Sequence, residues 1–303
     1  MTTPAWAGGP PRTILLATDL SARCDRATDR AVQLAKAWQA RLVVLTAIEP
    51  DVQEALRREP YEAPSWRRDA GPEALAVARI RREFGRIVQD ADVRVVEGEP
   101  ASAIDAIAEE VGAELIVTGV ARDETFGRYF LGSTVERLAR LTPVPLLVVK
   151  ARVEHYGEIL VAADFSEPSQ NALTAADRFF PNAPVTVLHA CEAPFAGLLD
   201  KSDFRDQWRA QEQRACEAFM ERSQLTWEAR ARVKVLVDHG SPEALVRRYM
   251  LDRGVDLVVV GTHGYGGVFG RRLGGTAKRI LAFAPGDVLL IREPRAVQRR
   301  QTT

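Results

Sequence analysis

The chain repeats itself. Gly98 and Gly240, Pro100 and Pro242, Gly119 and Gly261, Gly132 and Gly274, and Thr134 and Thr276 are all separated by 142 positions (261 − 119, 274 − 132). Near the start of each half, Thr13–Ser21 (TILLATDLS) answers Glu158–Ser166 (EILVAADFS), and Asp19 and Asp164 are separated by 145 (164 − 19). Small insertions account for the difference. A duplication of this size requires one fold that closes on itself within roughly 150 residues, built twice.

Each copy alternates short β-branched runs with helical patterns. In the first, strands are expected at 13–18, 41–47, 93–96, 114–118 and 144–149. Helices are expected over about 27–38, 74–89, 104–111 and 134–141, the third marked by the stripe Ile104, Ile107, Ala108 and Val111. Ser21 is placed to cap the first helix. In the second copy, strands are expected at 158–163, 185–190, 232–237, 256–260 and 287–292, and helices at about 167–180, 203–222, 242–253 and 276–283. Apolar runs such as Leu257–Val260 read as strands buried on both faces. Strand–helix alternation implies an α/β fold of two tandem five-stranded parallel sheets flanked by helices. The expected division is a disordered tail at 1–12, a first domain at 13–150, a linker at 151–157, a second domain at 158–294 and a basic tail at 295–303.

The chemistry concentrates after the fourth strand of the second copy. Gly261, Gly264, Gly266, Gly267, Gly270, Gly274 and Gly275 lead into the helix-like run Thr276–Leu281. A buried strand, a glycine-dense loop and a helix start form an anion cradle, because backbone N–H groups approach closely and the helix supplies unpaired donors. Arg271 and Arg272 lie within the loop and read as solvated charges facing the anion. In open parallel sheets, ligands bind at the carboxyl ends of strands, where Asp164 also falls. The motif is not a P-loop, and the dinucleotide fingerprint fails because Phe269 stands where glycine is needed. What stands is Gly261-x2-Gly264-x9-Gly274, followed by Gly275 and Thr276.

This spacing resembles the adenosine-triphosphate motif of the universal stress protein family, G-x2-G-x9-G-[ST], and the resemblance covers nearly the whole chain twice. It implies a Rossmann-like fold of the adenine nucleotide α-hydrolase type and bound ATP or ADP, with or without Mg²⁺. By the resemblance, Asp164 would sit by adenine and ribose, Gly261 and Gly264 beside ribose and phosphates, and Gly274, Gly275 and Thr276 on the terminal phosphates. Gly275 departs from the pattern by lacking a hydroxyl, worth about 1 kcal/mol. In the first copy Asp19, Gly119, Gly132, Ser133 and Thr134 match, but Arg122 replaces the second glycine and Asp123 and Glu124 follow. That site is expected to be the weaker one. The family also pairs its fifth strands antiparallel across a dimer axis. Val144–Val149 and Asp287–Arg292 are expected to do so within this chain, as an intrachain pseudo-dimer, with further homodimerisation left open.

Composition narrows the remainder. With 41 basic and 41 acidic residues the net charge is zero, so no field recruits nucleic acid or an anionic membrane. A cytoplasmic protein with reduced cysteines is expected: Cys24, Cys191 and Cys216 are odd in number and lack metal spacing, as do His155, His189 and His239. No metal ligand set and no catalytic residue are expected. Asp19 and Asp164 have no nucleophile paired with them in sequence, and His263 has no orienting partner. The expected function is a nucleotide-dependent stress sensor or regulator acting on a protein partner of unknown identity, with slow hydrolysis at most. Its rivals are a nucleotide-free scaffold and an adenylate-using enzyme, although the H-x-G-H and S-G-G-x-D-S signatures of such enzymes are absent.

Overall fold

The structure is a computed structural model describing residues 8–21, 24–48, 72–85, 91–120, 131–152, 155–191, 202–262 and 273–292. It divides into two compact units, one within residues 11–150 and one built mainly from 151–303.

The N-terminal unit contains β1 (Thr13–Ala17), α1 (Asp25–Trp38), β2 (Arg41–Ile48), α2 (Pro72–Phe84), β3 (Asp92–Glu97), α3 (Pro100–Glu110), β4 (Leu115–Gly119), α4 (Ser133–Leu141) and β5 (Leu146–Val149). Its strands run in the order β3-β2-β1-β4-β5, every neighbouring pair parallel. Ile14, Leu15, Leu16, Val43, Val44, Ile116 and Val117 are fully buried. Consecutive residues point to opposite faces of a strand, so such runs need helices on both sides.

The second unit repeats the plan with β6 (Ile159–Ala163), α5 (Glu167–Phe179), β7 (Val185–Cys191), α6 (Ser202–Arg222), α7 (Trp227–Arg232), β8 (Val233–His239), α8 (Pro242–Arg253), β9 (Leu257–Gly261), α9 (Gly275–Phe283) and β10 (Asp287–Ile291). Its order is β10-β9-β6-β7-β8, again parallel throughout. The fifth strand of each unit lies beside the fourth, at the edge of its own five strands.

The structure corrects three local expectations. β5 begins at Leu146 because Pro145 has no amide to give and the Val144 amide turns back to Thr142 Oγ1 at 3.2 Å. A short helix, α7, precedes β8; Thr226 Oγ1 caps it by accepting from the Ala229 amide at 3.2 Å. Ser21 does not cap α1. Its amide and hydroxyl both donate to Asp19 Oδ1, at 2.9 and 2.6 Å, and Cys24 occupies the cap position without a side-chain bond.

The second unit also ties the start of its last strand to the segment that leads into β6. Asp287, fully buried at the start of β10, accepts from the Ala151 amide at 2.9 Å and from the Tyr156 hydroxyl at 2.6 Å. The Tyr156 ring meets Phe180 edge-on at 5.4 Å. A buried carboxyl oxygen that loses a donor has no water to replace it. Tyr156→Phe is expected to lower stability by about 1–3 kcal/mol. Urea denaturation measures this, and an unchanged midpoint would show that the hydroxyl contributes nothing.

Candidate functional site

Both units make the same turn at the end of their first strand. The residue after each strand-end aspartate is not glycine, yet it sits in the left-handed region: Leu20 at φ 59° and Phe165 at φ 62°. For an L-residue this costs on the order of 1–2 kcal/mol. The cost is offset by burying both side chains, which are 8% and 6% exposed. Sequence reading missed this turn, because neither residue type announces it.

The turn fixes the aspartates. Asp164 Oδ1 accepts from the Ser166 amide at 3.1 Å, from Ser166 Oγ at 2.5 Å and from Ser169 Oγ at 2.6 Å. The Asp164 amide in turn donates to Ser169 Oγ at 3.1 Å. In the N-terminal unit Ser21 answers Ser166, and Cys24, at the same offset of 145, answers Ser169 (169 − 24). Cys24 Sγ reaches Asp19 Oδ1 at 3.2 Å. Burial is the main reason the Cys24 thiol is pushed up to about 11. The proton therefore stays on sulfur, and Cys24 serves Asp19 as a weak donor.

The glycine loop of the second unit is pinched at its neck. The Thr262 amide donates to Ile291 O at 3.0 Å, and the Gly274 amide donates to Thr262 O at 2.8 Å. Gly274 then serves as N-cap of α9 with no side-chain cap, leaving the Gly275 and Thr276 amides at the helix positions that have no intrahelical acceptor. Gly132 precedes α4 with nearly the same backbone, φ −51° and ψ 154° against −59° and 147° at Gly274. Each following helix is tied by an arginine at the 142 offset: Arg137 to Glu99 at 3.5 Å, and Arg279 to Glu243 at 3.1 Å.

These pieces surround a cavity of about 390 Å³ in the second unit. Its walls are apolar (Ala162, Ala163, Leu188, Ala190, Val246, Val260 and Ile280), with Asp164 and Ser169 along one part and Thr262, Gly274, Gly275 and Thr276 along another. The volume suits a small organic ligand, and few polar groups on an apolar lining is how such sites are built. Asp164, Gly261, Gly274, Gly275 and Thr276 are thus brought together. Gly264, His263, Arg271, Arg272, Arg122, Asp123 and Glu124 lie outside the described residues. In the N-terminal unit, Gly119 ends β4, while Gly132, Ser133 and Thr134 open α4.

Two glycines differ in what they spare. A Cβ on Gly261 would lie 2.8 Å from the backbone of Pro168, at the start of α5, so glycine is required there by protein packing. A Cβ on Gly275 would meet only Arg279 Nη1, at an ordinary 3.6 Å. Sterics therefore do not enforce the missing hydroxyl at 275.

A twice-built parallel α/β unit, the second with a cavity at its strand ends, is the class these observations define. The model of the universal stress protein family matches residues 11–150 and 155–292, and the chain belongs to that family. A universal stress protein of Thermus aquaticus is 35% identical over 147 residues, covering 46% of this chain and 98% of that one. The solved structure of a universal stress protein from Archaeoglobus fulgidus shares the fold with a TM-score of 0.63 at 18% identity, over 93% of this chain and 98% of that chain. A functionally unknown protein from Pseudomonas aeruginosa PAO1 does so at 0.64 and 20% identity, over 96% and 95%. Among the described residues, no helix is long and apolar enough to cross a membrane.

Gly261→Ala is expected to destabilise the second unit by about 1–3 kcal/mol through overpacking against Pro168. Thermal unfolding measures it; a variant as stable as the parent would mean that α5 yields at no cost.

Proposed function

We propose that the second unit binds an adenine nucleotide, ATP or ADP, and that occupancy regulates a protein partner in a stress response. The observation that carries this reading is the cavity bounded on one part by the pinned Asp164 and on another by the uncapped start of α9. An apolar slot suits a flat base, a carboxylate suits ribose hydroxyls, and helix-start amides suit phosphate. Gly261, Gly264, Gly274, Gly275 and Thr276 would follow the ligand from ribose to terminal phosphate, with Mg²⁺ held by the phosphates themselves. In the first unit Asp19, Gly119, Gly132, Ser133 and Thr134 would form a weaker site, with Arg122 occupying phosphate space.

Catalysis is not part of this reading. Phosphoryl transfer wants carboxylates that hold metal and a positioned base. Asp164 is instead bonded to its own turn through Ser166 and Ser169. One observation favours the rival reading of a nucleotide-free scaffold. The Gly274 amide, one of the donors the family motif would offer, is already bonded to Thr262 O.

The nucleotide released on denaturing the purified chain decides between them. About one adenine nucleotide per chain is the expected result, and two would mean that Arg122 does not block the first site. None, with no change in melting temperature on adding Mg-ATP, would establish the scaffold. A second measurement uses Gly264→Arg, which copies the substitution found at Arg122. Isothermal titration with ATP is expected to show binding lost, and unchanged affinity would place the phosphates elsewhere.

A further inference from the structure

Leu188 and Ala190 of β7 face the cavity, so His189 and Cys191 point to the opposite face of that strand. There they meet α6. His189 Nε2 lies 3.3 Å from Glu212 Oε2, and the side-chain donor atoms of His189, Cys191 and Glu212 all lie within 4.8 Å of one another. Cys191 is buried, and the other two are only partly exposed, at 13% and 20% of their side-chain surface.

The histidine is held in a way that decides what its ring offers. Nδ1 sits 2.8 Å from Ala163 O, and a carbonyl only accepts, so Nδ1 carries the hydrogen. The neutral ring then presents a lone pair on Nε2 to a carboxylate oxygen. Two acceptors at this distance repel unless a cation lies between them. A proton on Nε2 satisfies two of the three groups; a metal ion satisfies all three.

Several features match the second case. A carbonyl on the far nitrogen is the usual partner of a metal-bound imidazole, fixing tautomer and ring direction. Phe165 stacks on the ring at 4.0 Å with planes 18° apart, and Phe219 of α6 packs against Phe165 at 5.1 Å. The imidazole is therefore set in place before any ion arrives. Metal–nitrogen and metal–oxygen bonds near 2.1 Å at a tetrahedral angle separate the ligand atoms by about 3.4 Å. That is close to the observed 3.3 Å. With a metal–sulfur bond of about 2.3 Å, the sulfur of a bound site stands about 3.6 Å from each of the other two ligand atoms, inside the 4.8 Å limit within which all three now lie.

We propose that His189, Cys191 and Glu212 form a binding site for a divalent transition-metal ion of the zinc class, across β7 from the cavity. The thiolate and imidazole select against magnesium and calcium, which prefer oxygen. Three protein ligands leave a fourth position for water or another donor. Binding replaces the thiol proton, which leaves to solvent, and joins α6 to the end of β7. Sequence spacing hid the site, because Glu212 stands 21 positions beyond Cys191 (212 − 191) and reaches it only through the placement of α6.

Cobalt(II) titrated into the reduced full chain tests the proposal without any nucleotide present. The expected result is saturation at one ion per chain with a thiolate-to-cobalt charge-transfer band. Cys191→Ser is expected to abolish the band, while Cys24→Ser and Cys216→Ser retain it. Glu212→Gln, which keeps the side chain's shape, is expected to weaken competing zinc at least ~10-fold. Circular dichroism of the metal-free variants checks that they fold; if Cys191→Ser does not, the Glu212→Gln affinity decides alone. No band in the parent chain, a band surviving in folded Cys191→Ser, or unchanged zinc affinity in Glu212→Gln overturns the site.

Discussion

The left-handed residue at the end of each unit's first strand is the constraint on which the candidate sites rest. At Phe165 the chain leaves β6 against the backbone preference of an L-amino acid, and the burial of one aromatic ring holds it there. Three consequences share that bend. Asp164 is delivered to the cavity with one oxygen bonded to Ser166 and Ser169. The Phe165 ring lies flat on His189. Arg222, at the end of α6, reaches back to Phe165 O at 3.4 Å. A glycine would make the bend without strain but would give up the ring that connects the aspartate's turn to β7 and α6.

The two copies preserve the bend and diverge in what surrounds it. Both aspartates collect a backbone amide and a serine hydroxyl from two residues on. The third donor is Ser169 in one and the protonated, poorly polar thiol of Cys24 in the other. The arginine ties show the same economy of change. Arg137 meets Glu99, which also caps α3 by accepting from the Ala101 and Ser102 amides, whereas Arg279 meets Glu243, two positions further along the repeat. The carboxylate has moved, and the contact between the two helices has survived. The frame is thus shared, and the polar fittings are specific to each half.

Much of that frame was legible in the residues. The offset of 142, the buried runs and the glycine spacing sufficed for two parallel α/β units and for the strand ends where Asp164 and Gly274 meet. Bulk hydrophobic periodicity is a local signal, and it survives duplication. What was hidden depends on contacts between distant segments. Nothing in the letters of Leu20 or Phe165 indicates a positive φ, since burial elsewhere compensates the strain. Gly261 read as a glycine kept for a ligand, and its neighbours along the chain carry no sign that the place of a Cβ there is taken by Pro168. The short helix at Trp227–Arg232 is too brief for a periodic pattern, and its capping Thr226 is one polar residue among many. The trio on β7 and α6 is joined by tertiary placement alone.

The order of the two units along the chain bears on how the molecule is made. The first unit lies within residues 11–150, so all its strands and helices leave the ribosome ahead of β6 to β10. Two similar parallel sheets in one polypeptide invite exchange, in which a strand from one copy takes the place of its counterpart in the other. Domains generally fold as units, N-terminal first during synthesis, an order that works against such exchange. The divergence of the copies also works against it, because the aspartate turn after β1 is completed by Cys24 at the start of α1, and that after β6 by Ser169 in α5.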